Sequence, residues 1–187
     1  MPKKLLQGAG VSLATESGKA VRRLLIGATW SHTDVDVDMC ALLCENAGGS
    51  YKVPSSQYFL FRNRRATPER AGFLTYLPPS QVAGPDRAQI LLDLERLDPG
   101  ISRVVIAMSA LRQGGVLSEM GTLRTRAMDL DSGETLYVYQ HAVASTLNTQ
   151  CITLWTLDRR APAWEGRVTA LAHPGGPPAL VRDYGAA

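Results

Sequence analysis

Cysteine is scarce in this chain. Cys40, Cys44 and Cys151 are all there is among 187 residues. An odd, widely spaced set makes no disulfide framework, so the expectation is buried, reduced thiols in a cytoplasmic protein. Long hydrophobic runs are missing as well, and no stretch approaches the ~18 apolar residues that span a bilayer. The opening segment, Met1–Leu13, is short and interrupted by Gln7, Gly8 and Gly10, which does not read as a signal peptide. Charge of one sign is weak: the formal net charge is +3. The basic residues are scattered as Lys3/Lys4, Arg22/Arg23, Arg62/Arg64/Arg65 and Arg159/Arg160, and no aromatic residues alternate with them. Both features argue against nucleic acid as a partner.

Catalytic signatures are absent too. There is no Gly-x-Ser-x-Gly elbow to anchor a hydrolase triad. Gly114-Gly115, after Arg112-Gln113, lacks the Lys and the later Gly of a phosphate or dinucleotide loop and reads as a turn. His32, Cys40 and Cys44 match no zinc spacing and lack a fourth ligand.

What the chain does contain is a succession of short apolar or alternating runs separated by turn signals, the pattern of strands. Ten are legible: 21–30, 35–43, 57–61, 72–77, 89–94, 103–108, 120–130, 135–140, 150–157 and 164–172. Asp131-Ser132-Gly133-Glu134 reads as a hairpin turn, and Arg159-Arg160-Ala161-Pro162 as a second short loop. Helix is limited to one turn at Leu94–Leu97 and a C-terminal segment, Pro178–Tyr184, with Pro at its start and Gly185 at its end. About ten strands without a long amphipathic helix predict an all-β, two-sheet β-sandwich with a short C-terminal helix, a single domain over residues 1–187. Trp30, Trp155 and Trp164 fall at strand positions and are expected to anchor the core. The stretches 62–70 and 78–87 are expected to be exposed loops.

The most chemically suggestive segment is Asp34-Val35-Asp36-Val37-Asp38. In a strand its three carboxylates project from one face, about 6.5–7 Å apart. A hard cation such as Ca²⁺ takes about 6–8 oxygens, so loops must supply the remainder, and Asn63, Asp86 and Glu119 are the available donors. The bland alternative is a solvated strand end whose carboxylates blunt an edge. A third reading lets Arg62 or Arg64 relieve the repulsion, internal salt bridges standing where a metal would.

Pieces spread over nearly the whole chain carry a resemblance to the TerD-like tellurium-resistance and stress-response family. Gly10-Val11-Ser12-Leu13 resembles its opening strand and Leu24–Trp30 its second. Val35-Asp36-Val37-Asp38 is similar to its Phe-Asp-Leu-Asp segment, and Phe59-Leu60-Phe61-Arg62-Asn63-Arg64 to its Phe-Val-Phe-Tyr-Asn-Asn strand. Ile90–Leu94, Asp131–Glu134 and Leu180–Gly185 match its apolar strand, its hairpin and its closing segment.

The resemblance implies a β-sandwich that binds calcium through acidic loops and serves as a non-enzymatic binding or scaffold component in tellurium resistance or chemical stress. Its partners would be other stress-response proteins. Cation ligands are then expected at Asp36 and Asp38, followed by Asp34 and Asn63. The chain departs from the family pattern in two places. Its Leu77–Ala88 stretch holds one carboxylate, Asp86, where the family has a loop dense in acidic residues, and Arg64 stands at the second Asn. Two further readings stay open: a metal-independent protein-interaction module docking through the 62–70 and 78–85 loops, and a hydrolytic enzyme with an unrecognised site.

Overall fold

The computed structural model describes residues 1–32, 36–77, 86–111, 115–141 and 149–186. In chain order the strands are β1 (Lys3–Lys4), β2 (Gly10–Ser12), β3 (Arg23–Trp30), β4 (Val37–Ala47), β5 (Ser50–Lys52), β6 (Phe59–Leu60), β7 (Gly72–Tyr76), β8 (Ala88–Asp93), β9 (Arg103–Ala110), β10 (Leu123–Asp129), β11 (Thr135–His141), β12 (Cys151–Arg160) and β13 (Ala163–Ala172). One helix, α1 (Gly176–Asp183), follows. The first sheet has the order β1-β11-β10-β3-β8-β7; the second runs β2-β13-β12-β9-β4-β5, with β6 beside β4. This is the expected all-β sandwich. β2 is the opening strand that the resemblance placed at Gly10–Leu13, and the extra strands β1 and β5 are only two or three residues long, too short to show a period in the sequence.

Alternation decides which side chains meet between the sheets. Leu24, Ile26, Ala28 and Trp30 of β3 face Val37, Met39, Ala41 and Leu43 of β4 and Val104, Ile106 and Met108 of β9 in one core. The register of β12 against β9 and β13 shifts between Thr153 and Trp155. That bulge lets Leu154 and Trp155 both enter this core, where Trp155 is fully buried and donates its indole N–H to Thr125 Oγ1 at 2.9 Å.

A second core lies outside the larger sheet. The opposite parity of β4 and β9 gives Cys40, Leu42, Cys44, Val105 and Ala107, which pack with Cys151, Val53, Leu180 and Ala186. Helix α1 therefore roofs this face, which is why β4 is apolar on both sides and reads as a continuous hydrophobic run. Arg159 and Arg160, expected in a loop, complete β12 instead, and the turn contracts to Ala161-Pro162. Arg159 lies 4.8 Å from the Trp164 ring centroid and donates to Ile101 O at 2.8 Å.

Among the described residues, no helix covers the outer face of the first sheet. At its centre the Asp86 carboxylate lies directly over Gly27 of β3, where a Cβ would come within 2.4 Å of Asp86 Cγ. Arg126, paired with Gly27 on the neighbouring strand, grips that carboxylate with Nε at 3.0 Å and Nη2 at 2.7 Å, and Gln89 Nε2 adds 2.9 Å. Asp86 is 2% exposed. Gly27 is thus required by a side chain rather than by a turn.

Breaking a buried charge pair costs about 3–5 kcal/mol because one charge stays uncompensated. Gly27→Ala and Arg126→Met are each expected to destabilise the fold by about 3 kcal/mol in urea unfolding. In an Asp86→Ala background the Gly27→Ala cost should fall well below half of that. Equal costs in both backgrounds would break the link.

Candidate functional site

Pairing places Trp30, Tyr76, Ala88, Leu123 and His141 of the first sheet at one end of the sandwich, with Val37, Ala110 and Cys151 of the second. The connections β3–β4, β7–β8, β9–β10 and β11–β12 all begin and end there. Asp36 and Asp38, at the entry to β4, belong to this loop end.

Asp38 is only 8% exposed. Tyr76, the last residue of β7, reaches it from the other sheet and makes a short hydrogen bond to Oδ1. The Tyr76 hydroxyl also accepts from the Met39 N–H at 3.0 Å and lies 3.0 Å from the Met39 carbonyl. Its single proton is therefore held between Asp38 and that carbonyl. The guanidinium groups of Arg62 and Arg65 sit 5.6 and 5.3 Å from the Tyr76 ring centroid. Arg62 Nη2 reaches Asp36 Oδ1 at 2.8 Å and Val37 O at 3.4 Å.

Burial pushes the Asp38 carboxyl above its usual range and outweighs Arg62, which pulls it down; Asp36 adds to the rise. The hydrogen bond to Asp36 raises Arg62 further, so it stays a cation.

The expected ligands do not converge. Asp36 is bound to Arg62, and Asp38 to Tyr76. Asn63 is exposed on the two-residue turn closed by the reciprocal Phe61–Arg64 bonds of 2.9 Å. Asp34 lies outside the described residues, as does the 78–85 loop. Asp86 is committed to Arg126 on another face, and Glu119 is exposed on the 3₁₀ turn Leu117–Met120. Among the described residues no group of three or more His, Cys, Asp or Glu side chains is arranged to hold a metal. A calcium ion would need about 6–8 oxygens, and Oδ1 of Asp36 and Oδ1 of Asp38 each already accept a hydrogen bond. Among the described residues, Asp36, Asp38 and Asn63 therefore do not come together as one donor set. Of the two arginines expected to neutralise the stripe, Arg62 does so; Arg64 turns to Ser56 O and the Phe61 ring.

The TerD domain family model matches residues 1–184. The chain belongs to the TerD domain family. Among solved structures, SAV2460, a protein of unknown function, superposes with a TM-score of 0.66 at 16% identity, covering 87% of this chain and 95% of its own. A homologue of telluride resistance protein (TerD), SCO6318 from Streptomyces coelicolor A3(2), gives 0.65 at 16% identity, covering 89% and 98%. At such identities the likeness shows the fold. No curated protein matches the chain.

Sequence reasoning missed Tyr76 and Arg65. The signal available was a lone Tyr closing an apolar strand, and only the packing of β7 against the start of β4 gives it a partner. Cys151 was also missed as a neighbour of Cys40 and Cys44. All three thiols of this TerD domain are buried and free beneath α1. Burial pushes Cys44 and Cys151 up to about 12, and Cys40 well above its ordinary value, helped by Cys151 and Asp38. Cys40 and Cys151 flank β9, which sets their strands about 9.5 Å apart, beyond the ~7 Å Cα limit for a disulfide. Cys40 and Cys44 are about 13 Å apart along one strand. A redox pair is excluded without moving the backbone.

In native protein the thiols are expected to resist an aromatic disulfide reagent and all three to react in urea; fast native labelling would contradict their burial. Asp38 gives a pH signature. Because its folded pKa is raised, the native state binds the extra proton, and stability declines as pH rises from the unfolded value of 3.8 through the folded one. Asp38→Asn removes that slope while keeping an acceptor for Tyr76. Its stability relative to wild type should rise between pH 3 and pH 7 in denaturant melts; a fall over that interval would refute the assignment.

Proposed function

We propose that this TerD domain is a metal-independent, non-enzymatic binding or scaffold module of a cytoplasmic tellurium-resistance or chemical-stress system, with other stress-response proteins as its partners. The observation that carries the reading is Arg62. Its guanidinium bridges Asp36 Oδ1 and Val37 O beside Tyr76, placing a covalently tethered cation beside the acidic stripe. A tethered cation neutralises carboxylates without the chelate entropy cost of collecting six or more oxygens, and it does not respond to calcium concentration. The Tyr76–Asp38 tie between the sheets likewise holds the start of β4 without an ion. The buried thiols, held protonated beneath α1, supply no nucleophile, in keeping with a module that binds rather than reacts.

The test is calorimetric titration of calcium into chelator-stripped protein, with melting curves beside it. Wild type is expected to show no heat and no shift in melting temperature at millimolar calcium. Arg62→Gln is expected to lose about 1 kcal/mol of stability and to gain a calcium response, because two carboxylates lose their counter-charge. A calcium-raised melting temperature in wild type, lost in Asp36→Ala/Asp38→Ala, would replace this reading with a calcium module.

A further inference from the structure

At the opposite end of the sandwich from the loop cluster, the outer face of the first sheet holds a recess of ≈ 200 Å³. Its floor is apolar: Ala71 and Phe73 from β7 and the segment before it, Leu91 and Leu92 from β8, and Leu130 after β10. Its rim is cationic, with Arg23, Arg70 and Arg96 contributed by three separate segments, and the single carboxylate among the lining residues is Asp93.

The charges around this recess do not cancel. Arg23 is satisfied by Asp131, Nε to Oδ1 at 2.6 Å. Asp93 Oδ1 accepts the backbone N–H of Arg96 at 3.1 Å, so that carboxylate is turned to its own chain. Among the described residues the guanidinium of Arg96 has no ion pair, and that of Arg70 has only the Phe73 ring, 5.6 Å from its centroid. Two exposed guanidinium groups, neither in an ion pair among the described residues, thus overhang an apolar floor whose lining carries three arginines and one carboxylate. Arg70 is also held with φ at 56°, in the left-handed region that a β-branched or long side chain rarely adopts. The bonds Arg70 N–H to Thr67 O, 2.9 Å, and Ala71 N–H to Thr67 Oγ1, 3.1 Å, impose it and aim the side chain back across Phe73. Backbone strain kept at a recess rim is the kind of feature that marks a ligand clamp.

We propose that this recess binds a small organic anion: a carboxylate or phosphate group clamped by Arg70 and Arg96, on a compact apolar body resting on Phe73 and Leu91. The volume takes a group of about the size of a single aromatic ring, below the usual range for larger ligands, and the cleft is too small for a helix. Planar guanidinium forks suit an oxyanion, and the ring under Arg70 orients one of them in advance. The site is independent of the acidic stripe and of calcium, so it stands whether or not the reading of the loop end does.

The experiment is an NMR titration of ¹⁵N-labelled protein at low salt with benzoate, phenyl phosphate and neutral benzyl alcohol. Expected are saturable shifts confined to the amides of residues 70–73 and 91–96 with either anion, and affinity at least about tenfold weaker for the alcohol. Arg70→Ala/Arg96→Ala is expected to weaken anion binding at least about tenfold while amides elsewhere keep their positions. Absence of saturable local shifts up to ~10 mM anion, or equal affinity for anion and alcohol in wild type, would overturn the proposal without reliance on any variant.

Discussion

The central strands of the larger sheet, β4 and β9, are buried on both faces, and much else follows from that constraint. β4 must be apolar at every position from Val37 to Cys44 apart from Asp38, because odd residues enter the core between the sheets and even ones lie beneath α1. The helix is consequently a roof rather than a tail. It accounts for the depth of the thiols and for their high pKa values, since a thiolate there would be a charge without solvent. It also accounts for Asp38, which stands at the margin of the roofed face and keeps its carboxylate only because Tyr76 and Arg62 attend to it.

Two of the polar ties in the molecule solve related problems in different ways. Asp86 and Arg126 form a nearly solvent-free pair fitted into the gap a glycine leaves, and a pair of that kind fixes register more than it adds net stability. Arg62 and Asp36 are both substantially exposed, so their pairing contributes little by itself. Its consequence is chemical: it places a guanidinium beside the acidic stripe at the entry to β4.

Much of the fold was legible beforehand. The strand-like runs at 21–30, 89–94 and 120–130 located β3, β8 and β10, the Asp131–Glu134 turn joined β10 to β11, and the Pro at the start of α1 marked the helix to within two residues. Errors came where local chemistry was ambiguous. Arg159 and Arg160 resembled loop residues, yet Trp164 and the Ile101 carbonyl gave Arg159 a place in a strand. The site was half legible: Asp36, Asp38 and Arg62 were found by charge and parity, but not Tyr76, because its partners in β4 lie far away in sequence.

By itself, then, the sequence determined what each segment could be, since alternation, turn residues and charge spacing act over a few bonds. It placed Asp36 and Asp38 on one strand face and three thiols in apolar runs. Tertiary structure decided who met whom. Whether Asp38 faced water, a metal or Tyr76 depended on β7 crossing the end of β4. Whether Gly27 was a weak strand residue or a berth for Asp86 depended on two neighbouring strands. Whether Arg70 and Arg96 shared one recess depended on turns brought together by sheet order. Such contacts join residues distant along the chain, and no local pattern encodes a distance that only packing sets.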